Sequence, residues 1–174
     1  MDLSRLDRYA GKEAFVEEVK AKTFETEMKC HGCAQVIVHT FLDVLGLDNR
    51  AVSLAASPFF AGIALTGNTC GALIGSLMVL GLVFGREDVY EGQPGLIRGV
   101  KPLRKLVKTF QQNNENFNCA QITGTDLANP EKAEAYFGSG GLERCASIMA
   151  QAAGYAAELI YDHYQAAKTA GSGQ

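Results

Sequence analysis

The chain has 174 residues, enough for one domain and too few for separate cofactor and substrate lobes. Hydrophobic residues at 47% and charged residues at 20% describe a globular chain and exclude a disordered one. A net charge of −3 argues against a dedicated nucleic-acid binder, and five cysteines in this length are too few for a disulfide-stapled small fold.

Residues 1–20 mix acids and bases without an apolar run, so no export signal is read there. The expected compartment is the reducing cytoplasm, where cysteines are more often ligands or catalysts than bridges. Helical periodicity recurs along the chain and no strand alternation stands out. A first helix is expected over about residues 11–28, with Phe15, Val19 and Phe24 facing inward. A second, over about Cys30 to Leu45, places Cys33, Ile37, Thr40, Phe41, Val44 and Leu45 on one face, and Gly46 stops it. Asn49 or Ser53 caps a short helix carrying Val52, Leu54, Phe59 and Phe60.

The glycine-rich link 62–68 leads into Cys70 to Gly85, an almost wholly apolar stretch. A membrane-spanning helix needs about 20 such residues. Pro58, Asn68 and several glycines interrupt the wider uncharged run, and Arg86 ends it. The stretch is therefore read as a buried central helix, and no membrane span is expected. Gly67, Gly71 and Gly75 recur every four residues, as do Gly81 and Gly85, which predicts close helix packing or a dimer seam. A homo-oligomer is accordingly expected.

Residues 90–99 are expected to be a loop by composition. From Lys101 an amphipathic helix carries Leu103, Leu106, Val107 and Phe110 on one face. Lys101, Arg104, Lys105 and Lys108 lie on the other, a solvated face or a dock for an acidic redox partner. The polar run 111–118 breaks it, and residues 118–124 form a short helical turn. Asn129 and Pro130 read as an N-cap and the first residue of another helix. The last helix is expected over about Leu142 to Lys168. Its stripe is Leu142, Cys145, Ile148, Met149, Ala152, Ala156, Leu159, Ile160 and His163. Residues 170–174 read as a loose tail. The pattern predicts one all-α domain over 1–169, a helical bundle around a buried glycine-faced central helix.

The thiols carry the chemistry. Cys30, His31, Gly32 and Cys33 form a CxxC, whose thiols share a face if both lie on one helix. At a helix start, unpaired N–H groups and the dipole favour the thiolate, so Cys30 and Cys33 are the candidate catalytic thiols. His31 either tunes that pair, adds a ligand or is merely solvated. Cys70 lies where the link meets the apolar helix, with Thr69 or Asn68 as N-cap. Gly71 leaves space beside that sulfur for a ligand or another backbone. Cys119 begins the short helical turn, and Cys145 sits on the last stripe, where a thiol also serves as a small hydrophobe. GCAQVI at Gly32 and NCAQIT at Asn118 echo each other, with a cysteine near a helix start each time.

Three chemistries compete. An iron–sulfur cluster wants about four thiolates, which come from distant segments if need be. A zinc site often uses two close pairs, and the chain has one. A thiol–disulfide centre needs only the CxxC and access, but no thioredoxin-like βαβ context surrounds it. CHGCA has no histidine directly after its second cysteine, so it is not a haem-attachment site. No phosphate loop or dinucleotide fingerprint is present, and Asp43, Asp126 and Glu143 show no pairing suited to acid–base work. His39 and His163 are scattered.

CGALIG at Cys70 to Gly75 matches the CGAxxG motif, with one cysteine (Cys33) before it and two (Cys119 and Cys145) after it. GCAQ, TCGALIGSLMVLGLVFGRED and FNCAQITGTDL add to the likeness. On these residues the chain resembles the C_GCAxxG_C_C family, described as redox-active, from about Cys30 to Ile160. The resemblance implies redox chemistry and is compatible with an iron–sulfur cluster, and it names no substrate. The leading reading is an electron-transfer protein whose cluster is held by Cys33, Cys70, Cys119 and Cys145, with Gly71 beside it and Cys30 as a spare ligand. Its redox partner is unidentified. A metal-free thiol oxidoreductase using Cys30 or Cys33, and a structural or interaction protein with buried thiols, are the alternatives.

Overall fold

The computed structural model describes residues 2–171. Among them lie eight α-helices and no strand, an all-α fold with one helix-packed core. The helices are α1 (Lys12–Cys30), α2 (Cys33–Leu45), α3 (Arg50–Ala56), α4 (Gly71–Phe84), α5 (Gly92–Asn114), α6 (Cys119–Thr123), α7 (Pro130–Tyr136) and α8 (Leu142–Gly171).

Helices α1 and α8 form the longest pairing and run antiparallel. Lys12 at the start of α1 pairs with Asp162 near the end of α8 at 3.1 Å, while Glu27 near the end of α1 shares a cavity with Cys145 near the start of α8. Phe15 and Val19 are fully buried, as the periodicity predicts. Phe24 is only half-buried. The inward row continues instead through Thr23 and Glu27, which places a carboxyl inside the fold.

The second helix starts three residues later than expected. His31 and Gly32 have φ of 53° and 140°, and this break ends α1 at Cys30 and starts α2 at Cys33. The two CxxC thiols therefore sit on different helices and share no helix face. At its other end α2 stops at Gly46, as expected. Gly46 adopts φ 66°, and Leu47 N–H returns to Leu42 C=O at 2.8 Å, a left-handed cap that favours glycine. Asn49 caps α3, accepting from Val52 N–H at 3.2 Å. Phe59 and Phe60 lie beyond that helix, and Leu54 faces out.

Helix α4 is the buried central helix, packed against α2, α5 and α8. No helix among the described residues is long and apolar enough to cross a membrane. Its glycines act inside the chain. A Cβ on Gly71 would lie 2.2 Å from Phe59 O and 2.5 Å from Cys33 Cβ, and one on Gly75 would lie 2.7 Å from Ala34 O. The first turns of α2 and α4 therefore approach backbone to backbone. Gly81, by contrast, faces open space.

The segment expected as a loop over 90–99 is mostly helix, because α5 begins at Gly92. Pro94 falls in the first turn, where its missing N–H has no partner to lose. Gly99 lets the helix lie against the end of α4, since a Cβ there would overlap Phe84 O. Lys101, Arg104, Lys105 and Lys108 are exposed, and Leu106 and Phe110 are buried. Asn129 caps α7 as expected, accepting from Lys132 N–H at 3.1 Å. A π-helical turn, Phe137–Gly141, joins α7 to α8. Ala170 and Gly171, assigned to the tail, continue α8, and residues 172–174 of that tail lie outside the described residues.

Two glycine substitutions on α4 test this packing. Gly75→Ala forces a methyl into the Ala34 backbone and is expected to lose about 1–3 kcal/mol in a denaturant titration. Gly81→Ala meets nothing and is expected to gain up to about 1 kcal/mol from helix propensity. Equal effects at the two positions would contradict the close approach of α2 and α4.

Candidate redox site

Three cysteines stand at the starts of helices. Cys33 is the first residue of α2, Cys119 is the first residue of α6, and Cys70 is the N-cap of α4, a position expected for Thr69 or Asn68. The echo between GCAQVI and NCAQIT thus marks two equivalent helix starts. The segments carrying Cys70 and Cys119 are tied by backbone pairing. Thr69 and Asn118 form an antiparallel bridge, Cys70 N–H donates to Phe117 C=O at 2.7 Å, and Cys119 N–H donates to Asn68 C=O at 2.7 Å. Ala120 N–H adds a third bond to Gly67 C=O at 3.0 Å. A Cβ on Gly67 would lie 2.8 Å from Ala120 Cβ, so glycine permits this contact. Cys145 arrives one turn into α8, where its sulfur lies 3.5 Å from the Tyr136 hydroxyl.

The result is one small cavity of about 60 Å³ lined by Cys33, Cys70, Cys119 and Cys145. Its other walls are mostly apolar, with Ala61, Ile122, Leu127, Phe137 and Ile148 among them, and Glu27 enters from α1. Ala61 opens a run of five residues, 61–65, that all have positive φ, including the β-branched Ile63 at 65°. Such backbone is costly for non-glycine residues and persists where the surroundings impose it. Here the turn is held by Ala64 N–H to Pro58 C=O at 2.9 Å and Asn68 N–H to Gly62 C=O at 3.0 Å.

Cys30 is not part of this group. It is exposed at the end of α1 and lines a separate surface depression with His31 and His39. His163 is exposed, its ring edge-on to Phe84 at 4.9 Å. The space expected beside Gly71 is filled by Phe59 and Cys33. Among the described residues, no group of three or more His, Cys, Asp or Glu is disposed to hold a metal ion as it stands.

Burial dominates the electrostatics. It pushes the Cys33, Cys70 and Cys119 thiols up to about 12, and it raises Cys145 as well. Charge on any of the four thiols raises others in the group. Negative charge on Glu27 opposes ionisation of Cys33 and Cys145. The Ala61 amide favours the Cys33 thiolate, the Ala72 and Leu73 amides favour that of Cys70, and the Tyr136 hydroxyl favours that of Cys145. Burial also lifts the Glu27 carboxyl to about 7, opposed by the Gly32 amide. Glu27 Oε2 is buried without a hydrogen-bond partner among the described residues.

The family model Putative redox-active protein (C_GCAxxG_C_C) matches residues 31–159. The chain belongs to the C_GCAxxG_C_C family. No curated protein and no solved structure matches it. The C_GCAxxG_C_C match takes in all four cysteines of the cavity and begins just after Cys30, the thiol that lies outside it. Glu27 also precedes the matched region.

Sequence reasoning missed Glu27, Tyr136 and Ala61. Glu27 had a usable signal, because it continues the inward row of Val16, Val19 and Thr23 on α1. Tyr136 and Ala61 depend on turns, one π-helical and one left-handed, that have no periodicity to read.

The raised carboxyl and thiols set a pH dependence for the chain with no metal bound. Between pH 4.5 and about 7 the folded chain keeps a proton on Glu27 that the unfolded chain has released, so stability falls as pH rises. The loss amounts to at most about 3 kcal/mol. A second fall is expected from pH 9 upward, where unfolded thiols ionise and the buried ones do not. Glu27→Gln is expected to flatten the first fall and leave the second in urea titrations across pH. An identical slope in both proteins between pH 4.5 and 7 would contradict the buried carboxyl.

Proposed function

We propose that this C_GCAxxG_C_C protein transfers electrons through an iron–sulfur cluster held by Cys33, Cys70, Cys119 and Cys145. The observation that carries the reading is the convergence of four thiols, from four helices, on one apolar cavity. A thiol donor set of this number suits iron–sulfur chemistry. The four sulfurs share the cavity walls, and a cluster, which gives its irons separate thiolates, takes donors spread around its rim. A single tetrahedral ion would draw them to within about 4 Å of one another.

When bound, the cluster supplies a reversible one-electron change. The chain's own residues hold the thiolates and exclude water. The amides of Ala61, Ala72 and Leu73 offset negative charge on Cys33 and Cys70, and the apolar walls keep the local dielectric low. Bound cationic iron also answers the burial problem, since it replaces the proton on each thiol.

The metal-free alternative has less support. Thiols at about 12 are protonated near neutral pH, and a protonated thiol is a poor nucleophile. The CxxC on which a dithiol centre would rest is split between two helices, with Cys30 outside the cavity.

The test is anaerobic reconstitution with ferrous iron and sulfide. The wild-type chain is expected to take up both and to gain visible absorption that dithionite bleaches. Cys70→Ser and Cys119→Ser are expected to lose most of that absorption, and Cys30→Ser to keep it. A wild-type chain that binds neither iron nor sulfide would overturn the proposal.

A further inference from the structure

Helix α5 has two faces, and the fold uses only one. Gly95, Gly99, Leu106 and Phe110 recur at helical spacing and are buried, with Gly99 against the end of α4. The opposite face of such a helix is ordinarily polar. Over the first turns of α5 it is not. Leu96 is 54% exposed, Ile97 is 61% exposed, and Val100 follows them, also exposed. The 3₁₀ turn just before the helix, Val89–Glu91, adds Val89 at 62% and Tyr90 at 92%. Single exposed apolar side chains are ordinary, but a group of them marks an interaction surface.

The same face continues as a cationic one. Ile97, Lys101, Arg104 and Lys108 follow at spacings of four, three and four, which puts them on one line of the helix. Lys105 is exposed beside them. Lys101, Arg104, Lys105 and Lys108 form no ion pair among the described residues. The carboxylates nearby are largely engaged in local structure. Asp88 accepts from Tyr90 N–H at 2.8 Å, and Glu91 accepts from Glu87 N–H at 2.8 Å and pairs with Arg98. Glu87 is exposed. Residues 86–108 hold six cations and three carboxylates, in a chain whose net charge is −3. Positive charge is thus concentrated where apolar side chains stand in solvent.

Aliphatic side chains and a tyrosine, continued by lysine and arginine, are the composition of a helix lying in a bilayer interface. The core of a protein interface is depleted in lysine, whereas here lysine borders the apolar group directly. The cations select an anionic surface. We propose that the first half of α5, with the turn before it, docks on an anionic lipid bilayer. Leu96, Ile97 and Val100 enter the boundary between headgroups and acyl chains, and Lys101, Arg104 and Lys108 lie against lipid phosphates. The buried face keeps α5 on α4, so the contact is peripheral and requires no unfolding. The proposal is independent of what the thiol cavity holds.

The chain has no tryptophan, so Tyr90→Trp supplies a single reporter. The experiment mixes the unmodified chain, and Tyr90→Trp, with vesicles of phosphatidylcholine or of equal parts phosphatidylcholine and phosphatidylglycerol. Both proteins are expected to co-sediment with the anionic vesicles at low salt, to be released by high salt, and to stay free of the neutral ones. The tryptophan emission is expected to shift to the blue on binding. The double variant Lys101→Gln with Arg104→Gln is expected to weaken partitioning about thirtyfold. Leu96→Ser with Ile97→Ser is expected to weaken it at least about tenfold. All four positions are exposed, so circular dichroism is expected to be unchanged. No co-sedimentation with anionic vesicles at low salt would overturn the proposal. Salt-sensitive binding to soluble polyglutamate in its place would make the face a dock for an acidic protein. Vesicle binding that both double variants retain in full would overturn the assignment to α5. None of these results depends on iron, so failure here leaves the cluster reading untouched.

Discussion

Two backbone hydrogen bonds across the Thr69–Asn118 bridge carry the site. Cys70 N–H reaches Phe117 C=O and Cys119 N–H reaches Asn68 C=O, each at 2.7 Å. They join segments nearly fifty residues apart and set two helix starts side by side. Cys33 is brought to the same place by a different device, the close approach of α2 to α4 at Gly71 and Gly75. Cys145 comes from α8, whose antiparallel packing on α1 also delivers Glu27. Four independent parts of the chain thus end at one cavity, and loosening the bridge would separate its two central thiols.

The electrostatic consequence is a site that is poorly suited to the metal-free state. Burial holds the thiols protonated, mutual repulsion holds them so more firmly, and Glu27 adds a further acid without a counter-charge. Helix-start amides and the strained turn at 61–65 offer partial compensation by directing N–H groups toward sulfur. Sites of this kind gain when a cation enters and its ligation replaces the protons on the thiols. The same balance would set the potential of a bound centre, through amide donors and apolar walls.

Much of this was legible in the sequence. The all-α class followed from periodicity, α2 and α8 bury the apolar rows read for them, α2 stops at Gly46 and α7 starts at its Asn129 cap. The ordered cysteines and CGALIG pointed to a family that the 31–159 match bears out. The errors have physical causes. A CxxC was read as one helical face because spacing reveals nothing of a positive φ, and His31 and Gly32 supply two in succession. Residues 90–99 were read as a loop because their proline and three glycines are loop-forming on average, whereas Pro94 sits in a first turn and Gly99 lies against a neighbouring helix. Glycines spaced by four suggested close helix packing or a seam between copies, and Gly71 and Gly75 supply the close packing, against α2 of their own chain. Glu27 was passed over because Phe24 drew the inward row one residue away from its true line.

The most direct test of the central claim is anomalous diffraction at the iron edge, from crystals of the anaerobically reconstituted chain. The account predicts anomalous density inside the cavity bounded by Cys33, Cys70, Cys119 and Cys145. Density confined to the surface beside Cys30, His31 and His39, or none within the cavity, would contradict it.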